Sequence, residues 1–411
     1  RFIGSMLKEH SAWIWTPHEA KTLLGKIWNL LVDFVGMFHR RYRAKRFLTY
    51  LAQAPEALAY VDPLDKEWLL RLDGNSPWGN RALRHQVLGK ARLSFIAGTG
   101  YGYSKTDTAI AVARELIWNH ADKLGSLKEL VEAAGNAQRR KSDNDRARFI
   151  AGVLSGYAAS VRGLPDAKSY LEFLVASLVA QRNIHPLDQA WLTRLGEGSL
   201  WGNAELRIEA LRLIRLAFLS KISYGYTQTD DAIRTALALI DAHEDKLGTL
   251  HEVVYQATLL QNRKNDGDRA RFLAATLTGF AGTIGNFKDA RAFMRYLKAT
   301  PMARKNIYPL NKAWLKWLGK KRSSWRNKPL RAEVLRLVRL SYLEKVGYGY
   351  AQTNDAILVA RALIEASDDR QAALTEILDE AEKKQRGRRD GDRARFIETL
   401  RDGYASSGPG A

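Results

Sequence analysis

Apolar residues return along this chain every three or four positions, and no run alternates apolar with polar residues over the length of a strand. The stretch "NAELRIEALRLIRLAFLSK", Asn203 to Lys221, shows the pattern well. Glu205, Glu209 and Arg212 form one polar stripe at i, i+4, i+7 spacing, while Leu206, Ala210, Leu211, Leu213, Ile214, Ala217 and Phe218 cover much of the remaining surface. A helix this apolar is predicted to be mostly buried. The segments "AKSYLEFLVASLVAQ", "TDDAIRTALALIDAHEDK", "TLHEVVYQATLLQNR" and "DRARFLAATLTGFAG" read as helices in the same way. Thr249 with Glu252 and Ser126 with Glu129 have capping-box spacing, which predicts helix starts there; Ala373 stands at the matching third position and loses the box. The fold class is all-α.

The helical pattern repeats. "YGYSKTDTAI" at Tyr101, "YGYTQTDDAI" at Tyr224 and "YGYAQTNDAI" at Tyr348 lie 123 and 124 residues apart, and "DRARF" recurs at Asp145, Asp268 and Asp392. Trp68, Trp191 and Trp314 each follow a Pro-Leu pair, and Trp78, Trp201 and Trp325 correspond, as do Gln138, Gln261 and Gln385. The chain therefore reads as three tandem multi-helix copies of about 123 residues, at 46–165, 166–289 and 290–411, after an N-terminal arm over 1–45. Residues 1–5 read as a remnant of expression ahead of Met6. Each copy is long enough for about five helices and nearly for independent folding. The short connections "VRGLPDAKSY" and "TIGNFKDARAF" predict stacking in one elongated or curved array.

The shared strings suit structural work. The glycine of "YGY" after an apolar helix predicts a left-handed C-terminal cap, with Thr229 or Asp230 capping the next helix; the counterparts are Thr106 and Asp107, then Thr353 and Asn354. A tyrosine-lined ligand pocket is the competing reading of this corner. The pairs Asp143/Asp145, Asp266/Asp268 and Asp390/Asp392 invite a calcium loop, but Leu154 and Leu277 stand where an EF-hand needs glutamate. They are expected to cap the "RARF" helix, with Arg146/Arg148, Arg269/Arg271 and Arg393/Arg395 pairing locally or with a neighbouring copy.

Charge separates the copies. The chain carries +21, with Lys and Arg against Asp and Glu at 8 to 3 in residues 1–45, 17 to 12 in copy one, 14 to 15 in copy two and 26 to 14 in copy three. Copy two shows that the scaffold needs no positive excess. From Arg304 to Arg331 there are ten cations and no acid, whereas Gln181 to Ile208 holds three of each sign. Unpaired clustered cations repel one another, so they mark a surface facing a polyanion, unless they form a merely solvated basic face. The candidate contacts are Arg304, Lys305, Lys312, Lys316, Trp317, Lys320, Lys321, Arg322, Arg326 and Lys328, then Lys383, Lys384, Arg386, Arg388 and Arg389. Arg40, Arg41 and Arg43 of the arm join them. Trp317 is included as a base-stacking platform because Arg71 and Arg194, not tryptophan, occupy its counterpart positions.

Other chemistry finds little footing. Cysteine is absent, none of the eight histidines falls in copy three, and no HExxH or nucleophile elbow occurs. Neither a catalytic site, a metal site nor a cofactor is expected. "LLGKIWNLLVDFVGMF", Leu23 to Phe38, is broken by Lys26 and Asp33 and reads as an amphipathic packing helix too short to span a bilayer. The sequence thus points to a non-enzymatic cytoplasmic protein that grips nucleic-acid backbone without base specificity. The alternative is an interaction scaffold or a module of a secreted bacterial effector, with an acidic protein or anionic membrane surface as partner.

Overall fold

The computed structural model describes residues 40–99, 105–137, 144–222, 228–260, 267–319, 324–348, 352–384 and 390–406, and among them every regular element is a helix. The chain divides into two compact units, residues 1–214 and 215–411. The first holds α1 (40–53), α2 (Pro55–Leu58), α3 (Lys66–Leu72), α4 (Arg81–Gly98), α5 (Thr106–Trp118), α6 (Lys123–Ala137) and α7 (Asn144–Ser160). It continues through α8 (Leu164–Ala176), α9 (Leu178–Asn183) and α10 (Gln189–Leu195) into α11 (Ala204–Lys221), inside which the division falls. The second unit holds α12 (Thr229–Asp241), α13 (Lys246–Leu259), α14 (Gly267–Thr283), α15 (Phe287–Ala299), α16 (Pro301–Arg304) and α17 (Lys312–Leu318). It ends with α18 (Lys328–Val346), α19 (Thr353–Glu365), α20 (Arg370–Lys383) and α21 (Gly391–Ser406). One period of the sequence thus covers seven helices, not five, because short helices such as α9 and α10 carry too few turns to show a period. The sequence boundaries at 46, 166 and 290 fall inside α1, α8 and α15.

Helix starts are set by short polar side chains, though not always the expected ones. Asp65, Asp188 and Asn311 accept backbone N–H groups at 2.8–2.9 Å to open α3, α10 and α17. Asn80, Asn203 and Asn327 do the same for α4, α11 and α18 at 3.0–3.2 Å. The capping boxes do not form. Asp122, Asp245 and Asp369 cap α6, α13 and α20 through Gly125 N, Gly248 N and Ala372 N at 2.8–2.9 Å. Thr249 lies within α13 and donates its hydroxyl to Asp245 O. A carboxylate one turn earlier outcompetes the hydroxyl, so the helix begins before Thr249, and the third cap survives the change to Ala373.

Among the described residues, buried side chains form four hydrophobic clusters that are offset from the sequence period. In the first unit, one joins α1 to α4 around Phe47, Trp68 and Trp78. A second joins Ile96 and helices α5 to α7 with α8 to α10 and the first half of α11, around Phe149, Tyr170 and Trp191. In the second unit, a cluster runs from Phe218 through α12 to α15 and on to Val338, around Phe272, Phe293 and Trp314. The last runs from Tyr342 to Leu400. The last helices of one sequence copy therefore share a core with the first helices of the next. A single copy cut at 166 or 290 would expose the apolar faces that these clusters bury.

Many arginines are committed to this framework. Arg84 donates to Gly79 O (2.7 Å), and the counterpart Arg207 to Gly202 O (2.9 Å) and Gly196 O; Arg331 donates to Gly319 O. Arg92, Arg215 and Arg339 donate to Glu115 O, Ala238 O and Ala362 O at 2.8–3.4 Å, at the carbonyl ends of α5, α12 and α19. Burial lowers the pKa of all three from the ordinary arginine value. These arginines contribute to net charge without presenting that charge to a partner.

Candidate polyanion-binding face

The two repeated strings turn out to be partners. Arg148 pairs with Asp107, Arg271 with Asp230 at 2.6 Å, and Arg395 donates to Asn354 Oδ1 at 3.1 Å. Each bond ties the start of α5, α12 or α19 to the start of α7, α14 or α21. The first arginines of "RARF" (Arg146, Arg269 and Arg393) are buried, and Arg269 donates to Ala257 O. Asp390 accepts from Arg393 N and, at 2.9 Å, from Arg393 Nε, acting as the expected cap; Asp143 and Asp266 lie outside the described residues. Thr106, Thr229 and Thr353 are buried first residues of their helices, and Lys105, Gln228 and Gln352 hold the N-cap positions without a side-chain cap bond. The expected cap position is thus taken by Lys105, Gln228 or Gln352, and the Asp or Asn of the string links to an arginine instead. The corner tyrosines of the first two strings lie outside the described residues. In the third, the left-handed positions are Gly347 (φ 65°) and Tyr348 (φ 63°), ahead of the string's own Gly349, and the Tyr348 ring packs on Phe396. Among the described residues, no group of three or more acids and histidines is placed to hold a metal ion. No helix among them is long and apolar enough to cross a membrane.

The sequence-selected cations separate into three sets. Several are engaged. Arg304 donates to Leu297 O (2.9 Å) and Lys298 O at the end of α15, where Gln181 serves Leu174 O and Val175 O at the end of α8. Burial lowers its pKa, against the raising effect of Glu344. Lys305 pairs with Glu344 (3.2 Å), Lys383 with Glu380 (3.2 Å), and the Lys384 ammonium sits 5.2 Å from the Tyr348 ring centre. Lys320, Lys321, Arg322, Arg386, Arg388 and Arg389 lie outside the described residues. Lys312, Lys316, Arg326 and Lys328 are exposed on and beside α17 and at the start of α18. Arg41 and Arg43 are exposed and Arg40 is half-buried on α1, but Ala44, Phe47, Leu48 and Leu51 of that helix belong to the first core. The basic end of the arm is therefore part of the packed fold.

Trp317 is not a free platform. Its ring stacks on Trp325 (centroids 6.0 Å, planes 11°) and meets Trp314 edge-on at 5.2 Å. Counterpart Arg71 is buried too, and counterpart Arg194 lies over Trp191. In copies two and three the position packs against tryptophan, as arginine in one and as tryptophan in the other.

A basic row on α15 escaped the sequence reading. Lys288, Arg291, Arg295 and Lys298 are exposed and fall within an arc of about 80° at helical spacing, opposite the buried Ala290, Phe293, Met294 and Leu297. The positions one period earlier hold Pro165, Lys168, Glu172 and Val175, with Lys168 and Glu172 paired. Lys298 pairs with Glu333 of α18 at 2.9 Å. In copy two the counterpart of Glu333, Glu209, is held by Nε and Nη2 of Arg212 at 2.8 Å, which keeps its pKa below the usual carboxylate range. Drawing Glu333 toward α15 leaves Arg336, the counterpart of Arg212, exposed beside the same seam. Ser324 Oγ donates to Gly285 O (3.3 Å), anchoring the segment before Arg326 near the start of α15. The row was legible as i, i+3, i+7, i+10 cations, but apolar core residues dilute them along the sequence.

Exposed cations thus lie on α15, α17 and α18, and the Lys298–Glu333 pair joins the α15 row to α18. No protein family matches this sequence, and neither a curated protein nor a solved structure resembles it.

Proposed function

We propose that this chain is a non-enzymatic binding protein, built from three tandem copies of one helical unit, that grips nucleic-acid backbone without base specificity through its third copy. The observation that carries the reading is the difference at matching positions. Lys288, just ahead of copy three, and Arg291, Arg295, Lys312, Lys316, Lys328 and Arg336 within it are exposed with no ion pair among the described residues, while the positions one period earlier hold Pro165, Lys168, Glu172, Gln189, Thr193, Ala204 and the paired Arg212. The same scaffold thus folds with and without the charge, so packing does not demand it. Clustered like charges cost stability unless a partner of opposite sign neutralises them. Arg40, Arg41 and Arg43 on α1 form a second, smaller basic patch.

Fluorescence anisotropy with a labelled mixed-sequence DNA at low salt tests this. Binding that is indifferent to sequence and falls steeply with salt is expected. Absence of binding at low salt, or capture by anionic vesicles and not by nucleic acid, removes the reading.

A further inference from the structure

We infer that the basic face takes a nucleic-acid duplex in preference to a single strand, an inference that rests on the polyanion reading above. Proteins that hold single strands offer the bases free aromatic faces, and the stacking supplies much of their affinity. Here the aromatics are turned inward. Trp314 and Trp325 are buried, and the half-buried Trp317 stacks on Trp325 and meets Trp314 in a T-shaped contact. Tyr296 is half-buried, with its ring stacked on Phe293 at 5.9 Å. Phe287, at the start of α15, is 42% exposed, and Tyr308, ahead of α17, is 40% exposed with its hydroxyl donated to Asp355.

What faces outward instead is charge in breadth as well as length. Lys288 to Lys298 spans ten residues, about 15 Å along the helix axis. A duplex presents about nine phosphates over that length from its two strands, roughly twice what one strand offers. Arg336 sits across the Lys298–Glu333 seam on α18, so cations occupy two packed helices. Packed helices lie about 8–10 Å apart. Duplex grooves are about 6 and 12 Å wide, so two phosphate rows fall at a spacing of that order. A lone flexible strand can follow one row but cannot engage both without folding back.

The test compares a labelled DNA duplex with each of its separated strands by anisotropy at one salt concentration, using the full chain. The duplex is expected to bind at least about tenfold more tightly, and Phe287→Ala is expected to change duplex affinity less than about twofold. Equal or tighter binding of a single strand, with Phe287→Ala costing about fivefold or more, overturns the duplex inference while leaving the polyanion reading in place. If neither form binds, both fall together. A circular-dichroism melt of the variant confirms that the fold is unchanged.

Discussion

Neutralising the row on α15 gives the sharpest test of where the charge acts. The perturbation is a triple variant, Lys288→Gln, Arg291→Gln and Arg295→Gln. All three side chains are exposed, and none makes an ion pair among the described residues. The change should therefore leave stability within about 0.5 kcal/mol, the usual range for surface substitutions. Binding is a different matter. Each phosphate neutralised on duplex DNA contributes about 0.9 to the slope of log affinity against log salt. Lys288, Arg291, Arg295, Lys312, Lys316, Lys328 and Arg336, each engaging one phosphate, give a slope of about −6.

Raising salt from about 50 to 200 mM then weakens binding about 10⁴-fold in the native protein. The triple variant should show a slope of about −3.6 and lose only about 150-fold over the same range. Anisotropy titrations at four or five salt concentrations measure both numbers. A variant whose slope matches the native protein would refute the assignment of the row, even if overall affinity fell. The repositioned cap of α13 is open to a direct check: Asp245→Ala should cost about 1 kcal/mol by thermal melting, whereas Thr249→Val should cost a few tenths, and the opposite order would restore the capping box.

The two arginines of each "RARF" string should differ in worth. Arg269→Ala empties a fully buried site and removes the bond to Ala257 O, so a loss of about 3 kcal/mol is expected, while Arg271→Ala breaks only an exposed pair with Asp230 and should cost about 1 kcal/mol or less. Comparable losses in denaturant melts would contradict this division. A third expectation concerns alkaline pH. Tyr308 is raised to about 12 by partial burial and by donating its hydroxyl to Asp355, and Tyr348 to about 12 by burial and nearby glutamates. An unfolded tyrosine ionises near 10, so their stabilisation is full below pH 10 and is lost as pH rises from about 10 to about 12. The melting temperature should fall across that window, and Tyr308→Phe should flatten the fall without abolishing it; an unchanged profile would discount the Asp355 bond.

The all-helical class was legible because apolar positions at helical period are dictated by the core they must reach. The clearest misreadings came where two residues compete within one turn. Asp245 and Thr249 both qualify as caps, and only the backbone decides that the helix starts at Lys246. Asp230 qualified as a cap as well, and its role was set by Arg271, a residue 41 positions away that no local rule connects to it. Trp317 was misjudged for a related reason. Its counterparts are arginines, which suggested exposure, yet Arg71 is itself buried and the site is a packing position in both. The row on α15 was hidden by its own amphipathicity, since a linear window averages its cations with Phe293, Met294 and Leu297.

These cases bear on how a basic protein should be read for function. Net charge counts every arginine equally, but Arg84, Arg207 and Arg331 are hydrogen-bonded to glycine carbonyls, and Arg92, Arg215 and Arg339 to helix-end carbonyls. Two of the ten cations between Arg304 and Arg331 are spent this way, Arg304 and Arg331 themselves. Conversely, the loss of one pair enlarges the face without adding any charge there. Lys298 replaces the counterpart Val175 and captures Glu333, and Arg336 thereby loses the acid that Arg212 keeps in copy two. A substitution on α15 therefore adds one cation that is itself paired and releases a second, Arg336, to solvent. Selection for a polyanion can act on such positions cheaply, because the core residues between them need not change.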